Sequence, residues 1–359
     1  MTVATRTGLD TIPAYRQGKS PAPAEGLAPY KLSSNENPYP PLPAVVEAVA
    51  EAAAALNLYP DMSAAALAGA VARHWGVQPE NLAFGAGSVE VASQLIHAVA
   101  SPGDEVMFAW RSFEAYPVLA TVSGAVPVPV PLTADGGHDL DAMLAAITDK
   151  TRLIFVCNPN NPNGAVLSAD AVEAFVAAVP ADILVVIDEA YLHFNVDPGT
   201  AVGVDLFRRH PHVAVLHTFS KAYGLAGLRL GYAIARPELV ANLRKVAVPF
   251  AVTALAQAAG LASLAAEGQL QERIDVLVAE RERLHAGLLA AGLPVRPSQA
   301  NFLWLDAGVA TAQVAAAFEA AAIAVRAFPG EGLRISIGSP EANDRVLGLA
   351  RRLAVAVPA

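Results

Sequence analysis

Cysteine is almost missing from this chain of 359 residues: Cys157 is the only one. No intrachain disulfide can form, and a reducing compartment fits. Long apolar runs are missing too. Nothing approaches the roughly 18–20 apolar residues of a membrane span, and the alanine-rich stretches 44–56 and 311–322 are broken by charged or polar residues and read as ordinary helices. Basic charge is in the minority: 24 Lys and Arg against 33 Asp and Glu leave a net charge of −9. There is no basic patch, which argues against nucleic acid as a partner. Residues 1–19 lack an apolar core followed by a small-residue cleavage site, so no secretory signal is expected and the cytoplasm is the expected location. The eight histidines show no metal-ligand spacing, and no metal is expected. Internal repeats and low-complexity linkers are absent as well.

What is present is apolar bulk. Hydrophobic residues make up 54% of the chain and charged residues 16%, enough for a large core in two domains or one large one. Residues 1–43 are rich in proline and polar residues and read as an extended arm. From 44 to 247, strand-like runs alternate with helical patterns: Leu82–Phe84, Glu105–Trp110, Val126–Val130, Leu153–Cys157, Ile183–Ile187, Val213–Leu216 and Leu230–Ala235. Runs such as Ile183-Leu184-Val185-Val186-Ile187 are apolar at every position. They predict strands buried on both faces of a mostly parallel sheet covered by helices. After Pro249 the pattern changes to a long amphipathic helix over about 269–290, a strand at 301–305, a helix at 311–322, a strand at 333–337 and a terminal helix from about Glu341. The expected organisation is α/β: a large domain over 30–247, and a smaller α+β domain formed by 248–359 with the arm 1–29.

In an open α/β sheet, ligands bind beyond the carboxyl ends of the strands. The segment Thr218-Phe219-Ser220-Lys221-Ala222-Tyr223-Gly224-Leu225-Ala226-Gly227-Leu228-Arg229 follows one such strand. Its lysine amine can form a Schiff base with an aldehyde, and its hydroxyls and arginine can hold a phosphate. A phosphorylated aldehyde that acts as an electron sink is pyridoxal 5′-phosphate (PLP). Gly85-Ala86-Gly87-Ser88-Val89, before a helix, is a phosphate cradle by type, although an ordinary strand–helix turn has the same composition. Asn158-Pro159-Asn160-Asn161-Pro162-Asn163-Gly164 is a turn that brings Asn161 to the same edge. Asp188, at the end of a fully apolar strand, is costly to bury without a cationic partner, and a protonated pyridine nitrogen is one. A helix cap or a surface acid is the other reading.

In this order, Asn161-Pro-Asn-Gly, Asp188-Glu-Ala-Tyr191 and Ser220-Lys-Ala-Tyr-Gly-Leu-Ala-Gly-Leu-Arg229 resemble the fold-type I PLP aminotransferases, in the histidinol-phosphate aminotransferase branch. The likeness runs from Ser34-Asn35-Glu36-Asn37 to Gly332-Leu-Arg334-Ile-Ser-Ile-Gly338. It implies that Lys221 is the Schiff-base lysine and proton carrier, that Asp188 pairs with the pyridine nitrogen, and that Asn161 and Tyr191 bond the ring oxygen. The backbone of Ser88 and Val89, with Thr218, Ser220 and Arg229, would hold the phosphate, and Phe113 would stack on the ring. Arg334 would clamp the substrate carboxylate or phosphate, with Tyr15 and Arg326 lining the substrate pocket. Tyr59 would reach the neighbouring subunit's phosphate, which implies a homodimer.

Three departures from the family pattern stand out. Asn163 replaces the usual threonine of the turn, and Val89 stands where histidinol-phosphate enzymes often carry aspartate. Trp110-Arg111-Ser112-Phe113 replaces a Pro-Thr-Tyr and resembles the aromatic, phenylalanine-type aminotransferases. The expected reaction is amino transfer from an aromatic amino acid to 2-oxoglutarate, with histidinol phosphate as the alternative substrate. A PLP lyase and a non-catalytic PLP-binding regulator are the remaining readings. Cys157, Trp75 and Trp304 are expected in the core. His210 and His212 are expected in a solvated loop, and Glu280-Arg281-Glu282-Arg283 on a solvated helix face.

Overall fold

The apolar run at 183–187 becomes the strand Leu184–Asp188, and every residue in it is buried. The computed structural model describes Val3 and residues 8–12, 18–21 and 26–356, the side chains of Thr11 and of 351–356 excepted. Numbered along the chain, its strands are β1 Tyr30–Leu32, β2 Leu82–Gly85, β3 Glu105–Trp110, β4 Val126–Pro131, β5 Thr151–Cys157, β6 Leu184–Asp188, β7 Val213–Thr218, β8 Gly231–Ile234, β9 Val295–Arg296, β10 Phe302–Leu305, β11 Ile323–Phe328 and β12 Gly332–Ser336. Seven of them form one sheet in the order β2-β8-β7-β6-β5-β3-β4. All neighbours from β7 to β4 run parallel, and β8 is antiparallel to both β7 and β2.

Strand periodicity divides the core. Ile154, Val156, Val185, Ile187, Val213 and Val215 point to one face and join one apolar cluster. Phe155, Cys157, Leu184, Val186, Ala214 and Leu216 point to the other face. There they meet Val91, Leu95 and Ile96 of the helix Ser88–Val99 and Tyr116 of the helix Ala115–Ser123. Burial on both faces is why these strands read as continuous apolar runs. Phe155 is fully buried and stacks on Tyr116 with ring centroids 4.3 Å apart. Phe155→Ala is expected to destabilise the protein by about 3–5 kcal/mol. A denaturant midpoint unchanged from the parent would contradict this packing.

The edge strand β4 alternates valine and proline. Val126 donates its N–H to Asp104 and Leu132 donates to Trp110, while Pro127, Pro129 and Pro131 present no donor to the open edge. Further strand addition is blocked there.

The second sheet has the order β1-β11-β12-β10-β9. Its strands pack with the helices Glu267–Ala290 and Thr311–Ala320, and the helix Pro340–Ala356 packs on those two helices. Three corrections to the sequence reading arise here. Tyr30–Leu32 pairs in parallel with β11, so this part of the arm belongs to the smaller sheet and not to the large domain. Arg281 is not solvated: it is 1% exposed, and its Nη1 donates to the carbonyls of Phe194 (2.8 Å) and Ala300 (3.3 Å). His210 is also paired rather than solvated, with Nε2 lying 2.7 Å from Glu173.

Candidate active site

Register brings the strand ends together. Cys157 pairs with Asp188 across β5–β6, and Asp188 with Leu216 across β6–β7. The residues that follow these ends face a cavity of about 290 Å³ that also meets the segment after β1 and the smaller sheet. Lys221, Asp188, Tyr191, Asn161, Arg229 and Arg334 all line it. Ser88, Val89, Phe113, Thr218, Ser220 and Arg326 line it as well.

The cradle is built from glycine. Gly87 has φ +85° and precedes the helix Ser88–Val99, whose first N–H groups have no intrahelical acceptor by geometry. A Cβ on Gly87 would overlap the Arg229 guanidinium, and one on Gly231 would overlap the Ser88 backbone. Arg229, itself at φ 56°, donates to the carbonyls of Ala226 (3.0 Å) and Ala86 (3.3 Å). The Ser220 N–H donates to Thr218 Oγ1 at 3.0 Å. A helix start, two hydroxyls and a guanidinium thus converge on one end of the cavity, the donor set of an anion site.

Lys221 Nζ donates to the carbonyls of Ser34 (3.1 Å) and Asn35 (3.3 Å). Desolvation, reinforced by the Arg334 charge, pushes its amine down from 10.5 to about 7. Asp188 is buried and accepts a 2.6 Å hydrogen bond from the Tyr116 hydroxyl and a 3.2 Å bond from the Ala190 N–H. Burial pushes its carboxyl up to about 6 against these bonds. Glu189 points to the opposite side, where it accepts from Gly203 N–H at 2.6 Å. Strand alternation therefore sends only Asp188 into the cavity. Phe113 meets Tyr116 edge-on at 5.4 Å. Burial pushes the Cys157 thiol up to about 12, as suits an inert core residue.

Arg334 donates to the Asn161 amide oxygen and, at 3.0 Å, to the Ser33 carbonyl. Arg326 Nη2 lies 2.8 and 3.0 Å from the two carboxylate oxygens of Glu114. Tyr59 stands away from the cavity; it is 82% exposed and stacks on Phe250 at 4.5 Å. Tyr15 lies outside the described residues.

Two cavity residues, Asn35 and Glu114, and one residue behind the cavity wall, Tyr116, escaped the sequence reading. Asn35, at φ 53°, donates to the Tyr191 hydroxyl (2.9 Å) and receives Ser336 Oγ (2.9 Å), so it ties the two sheets together across the site. Tyr116 holds Asp188, and Glu114 holds Arg326. The signals for Asn35 were a polar residue in the proline-rich arm and its place in the Ser34–Asn37 motif where the family likeness begins. Among the described residues no group of side chains could hold a metal ion, and no helix is long and apolar enough to cross a membrane.

The fold and this cavity define a PLP-dependent aminotransferase of fold type I. The chain belongs to the family of class I and II aminotransferases, whose model matches residues 29–348. It is 54% identical over 347 residues to an aromatic amino acid aminotransferase of Streptomyces avermitilis, covering 97% of this chain and 96% of that one. It is 56% identical over 350 residues to one of Rhodococcus opacus, covering 98% and 96%. Among solved structures it resembles the histidinol-phosphate aminotransferase of Sinorhizobium meliloti in complex with pyridoxal-5′-phosphate, with a TM-score of 0.85, 28% identity and 91% of each chain covered. The aspartate aminotransferase of Thermus thermophilus with maleate is similar at a TM-score of 0.80, 26% identity and 93% of each chain covered.

Proposed function

We infer that the protein transfers amino groups between an aromatic amino acid and 2-oxoglutarate in two half-reactions of ping-pong type, with PLP held in the cavity. Phenylalanine is the preferred donor, with tyrosine and tryptophan behind it. The convergence of Lys221, Asp188 and the anion cradle on one cavity carries the aminotransferase part of this reading. The substrate part is supported by the shared name of relatives 54–56% identical over nearly the whole chain, and by Phe113 in the cavity wall.

PLP, when bound, supplies an aldehyde carbon that condenses with amines and a ring that accepts the negative charge developing at the substrate Cα. The chain's residues do the rest. The Ser88 and Val89 N–H groups, Thr218, Ser220 and Arg229 would hold the phosphate. Asp188 would keep the pyridine nitrogen protonated, and Tyr116 holds the Asp188 carboxylate in place. Asn161 and Tyr191 would donate to the ring oxygen, and Phe113 would pack against the ring. Arg334 orients the substrate by its carboxylate. Lys221, with an amine that is largely neutral above pH 7, would accept the substrate Cα proton at Nζ and hold it for return.

A homodimer completes this reading. Leu56, Leu58, Tyr59, Met62 and Val248 are 60–82% exposed around the Tyr59–Phe250 stack, an apolar surface suited to a second copy. Sedimentation at micromolar concentration is expected to show a dimer, and Tyr59→Ala is expected to weaken PLP retention. A monomer with full PLP affinity would contradict the shared site.

The enzyme assay is formation of glutamate from 2-oxoglutarate with phenylalanine as donor. Release of ammonia or carbon dioxide without glutamate would point instead to a lyase or decarboxylase. Histidinol phosphate is the second candidate donor, favoured by the likeness to the Sinorhizobium structure and by the presence of two arginines, Arg334 and Arg326, in the cavity wall.

A further inference from the structure

The two arginines of the smaller sheet are placed as a pair. Arg326 and Arg334 are register partners across β11 and β12, so their side chains emerge side by side into the same cavity. Their surroundings differ. Arg334 donates to neutral acceptors, the Asn161 amide and the Ser33 carbonyl. Arg326 meets a carboxylate: both oxygens of Glu114 lie within 3.0 Å of its Nη2. The side chains of this pair are only 17% and 32% exposed, so solvent screens the contact less than it would a surface ion pair. A second arginine, on the same segment as Glu114, is neutralised from the smaller sheet. Arg111, three residues before Glu114, donates from Nε to Glu331 at 2.7 Å. Lys31, also in the cavity wall, is paired with Glu36 at 2.8 Å.

Amino acids and phosphorylated amino alcohols ask different things of this wall. An amino acid carries its carboxylate directly on the amine-bearing carbon, as a single charge that one guanidinium can span. A phosphate ester on the neighbouring carbon reaches two bonds further and carries close to two charges on three acceptor oxygens. It calls for Arg334 and for the next cation beyond it.

We propose that Glu114 is a specificity-determining residue: by occupying Arg326 it withholds the second guanidinium from phosphate-bearing substrates and biases the site towards carboxylate-bearing amino acids. A phosphate arriving at Arg326 must displace Glu114 and then lie beside its charge. Specificity of this kind comes from a repulsive element as much as from an attractive one. The proposal rests on the reading of the cavity as the aminotransferase site with Arg334 as its anion clamp.

Glu114→Gln keeps the shape of the side chain and removes its charge. The measurement is kcat/KM of the holoenzyme for histidinol phosphate and for phenylalanine, in the parent and in E114Q. The parent is expected to favour phenylalanine. In E114Q the histidinol phosphate to phenylalanine ratio should rise by roughly tenfold or more, chiefly through a lower KM for histidinol phosphate. Adding Arg326→Gln to E114Q should abolish that gain. A ratio unchanged in E114Q, or a gain that survives loss of Arg326, overturns the role of Glu114 and leaves the aromatic reading standing. A parent enzyme that already favours histidinol phosphate overturns the aromatic reading itself. Should E114Q fail to yield folded holoenzyme, Glu114→Ala carries the same comparison.

Discussion

Lys221→Ala, reconstituted with PLP, is expected to lose at least about a thousandfold in phenylalanine turnover, a magnitude in keeping with the removal of both a nucleophile and a proton carrier. No other amine on the cavity wall is placed to replace it, since Lys31 is engaged by Glu36 at 2.8 Å. The loss should lie almost wholly in kcat, because the cradle around Ser88 and Arg229 and the Arg334 clamp are left in place. Bound PLP should also lose the spectral signature of its covalent link to the chain, while phosphate-dependent affinity remains. A variant that keeps the parent's full rate would contradict the assignment of Lys221 as proton carrier. The structural basis is specific. The Lys221 amine is desolvated and lies near Arg334, which brings it down to about 7 from 10.5, so at pH 8 most of it is neutral and able to accept a proton. An ordinary surface lysine would be almost fully charged there.

Asp188→Asn should give the second largest effect, with opposite signs in the empty and the loaded protein. In the cofactor-free protein the Asp188 carboxyl titrates near 6 rather than 3.8, because burial outweighs the bonds from Tyr116 and Ala190. The native state then binds more protons than the unfolded state between these values. The Asp188 contribution to stability is therefore greatest below about 3.8, falls as pH rises towards 6, and above that is a steady cost of about 3 kcal/mol for the charged form. Asparagine removes that charge and keeps an oxygen for the Tyr116 hydroxyl. Cofactor-free D188N is thus expected to be at least as stable as the parent at pH 7.5, and its unfolding midpoint should decline less steeply than the parent's between pH 4 and 7, the remaining decline coming from buried Glu189, whose carboxyl burial raises to about 8. In the loaded protein the same change removes the anion that keeps the pyridine nitrogen protonated. Turnover should fall by about 10²–10³, the usual scale for losing one preorganised electrostatic partner. Thermal unfolding of both forms across pH, together with kcat, tests the pair. A D188N protein that is destabilised when empty and fully active when loaded would contradict the role.

The parts of this site that depend on strand ends were readable before any coordinates. Asp188, Asn161 and Lys221 each follow an apolar run, and strands buried on both faces leave few other places for a polar residue. Parallel register then carries their side chains to one edge. Asn35, Tyr116 and Glu114 were not readable in this way, for different reasons. Asn35 owes its position to β1, three residues of the arm whose sheet partner among the described residues is β11, nearly three hundred residues away in sequence. Tyr116 faces a helix core, and its hydroxyl finds Asp188 only after that helix packs on the sheet. Glu114 meets Arg326 from the other sheet across a sequence separation of 212. The strand β11 itself was hidden, because its Ile-Ala-Val-Arg-Ala-Phe follows the alanine-rich helix Thr311–Ala320 with only a short turn at Ala321–Ala322 between them. Arg281 was misread for a related reason. Charges at successive helix positions resemble a solvated face, and the carbonyls that bury this one belong to Phe194 and Ala300.

Single-turnover spectroscopy of the purified holoenzyme, with phenylalanine and separately with histidinol phosphate, tests the central claim most directly. The signal is the change in absorbance of bound PLP as the amino group is taken up. Much faster conversion with phenylalanine is the predicted result. Equal or faster conversion with histidinol phosphate would contradict it, and would mean that the cavity framed by Phe113 and Arg334 selects the phosphate rather than the aromatic amino acid.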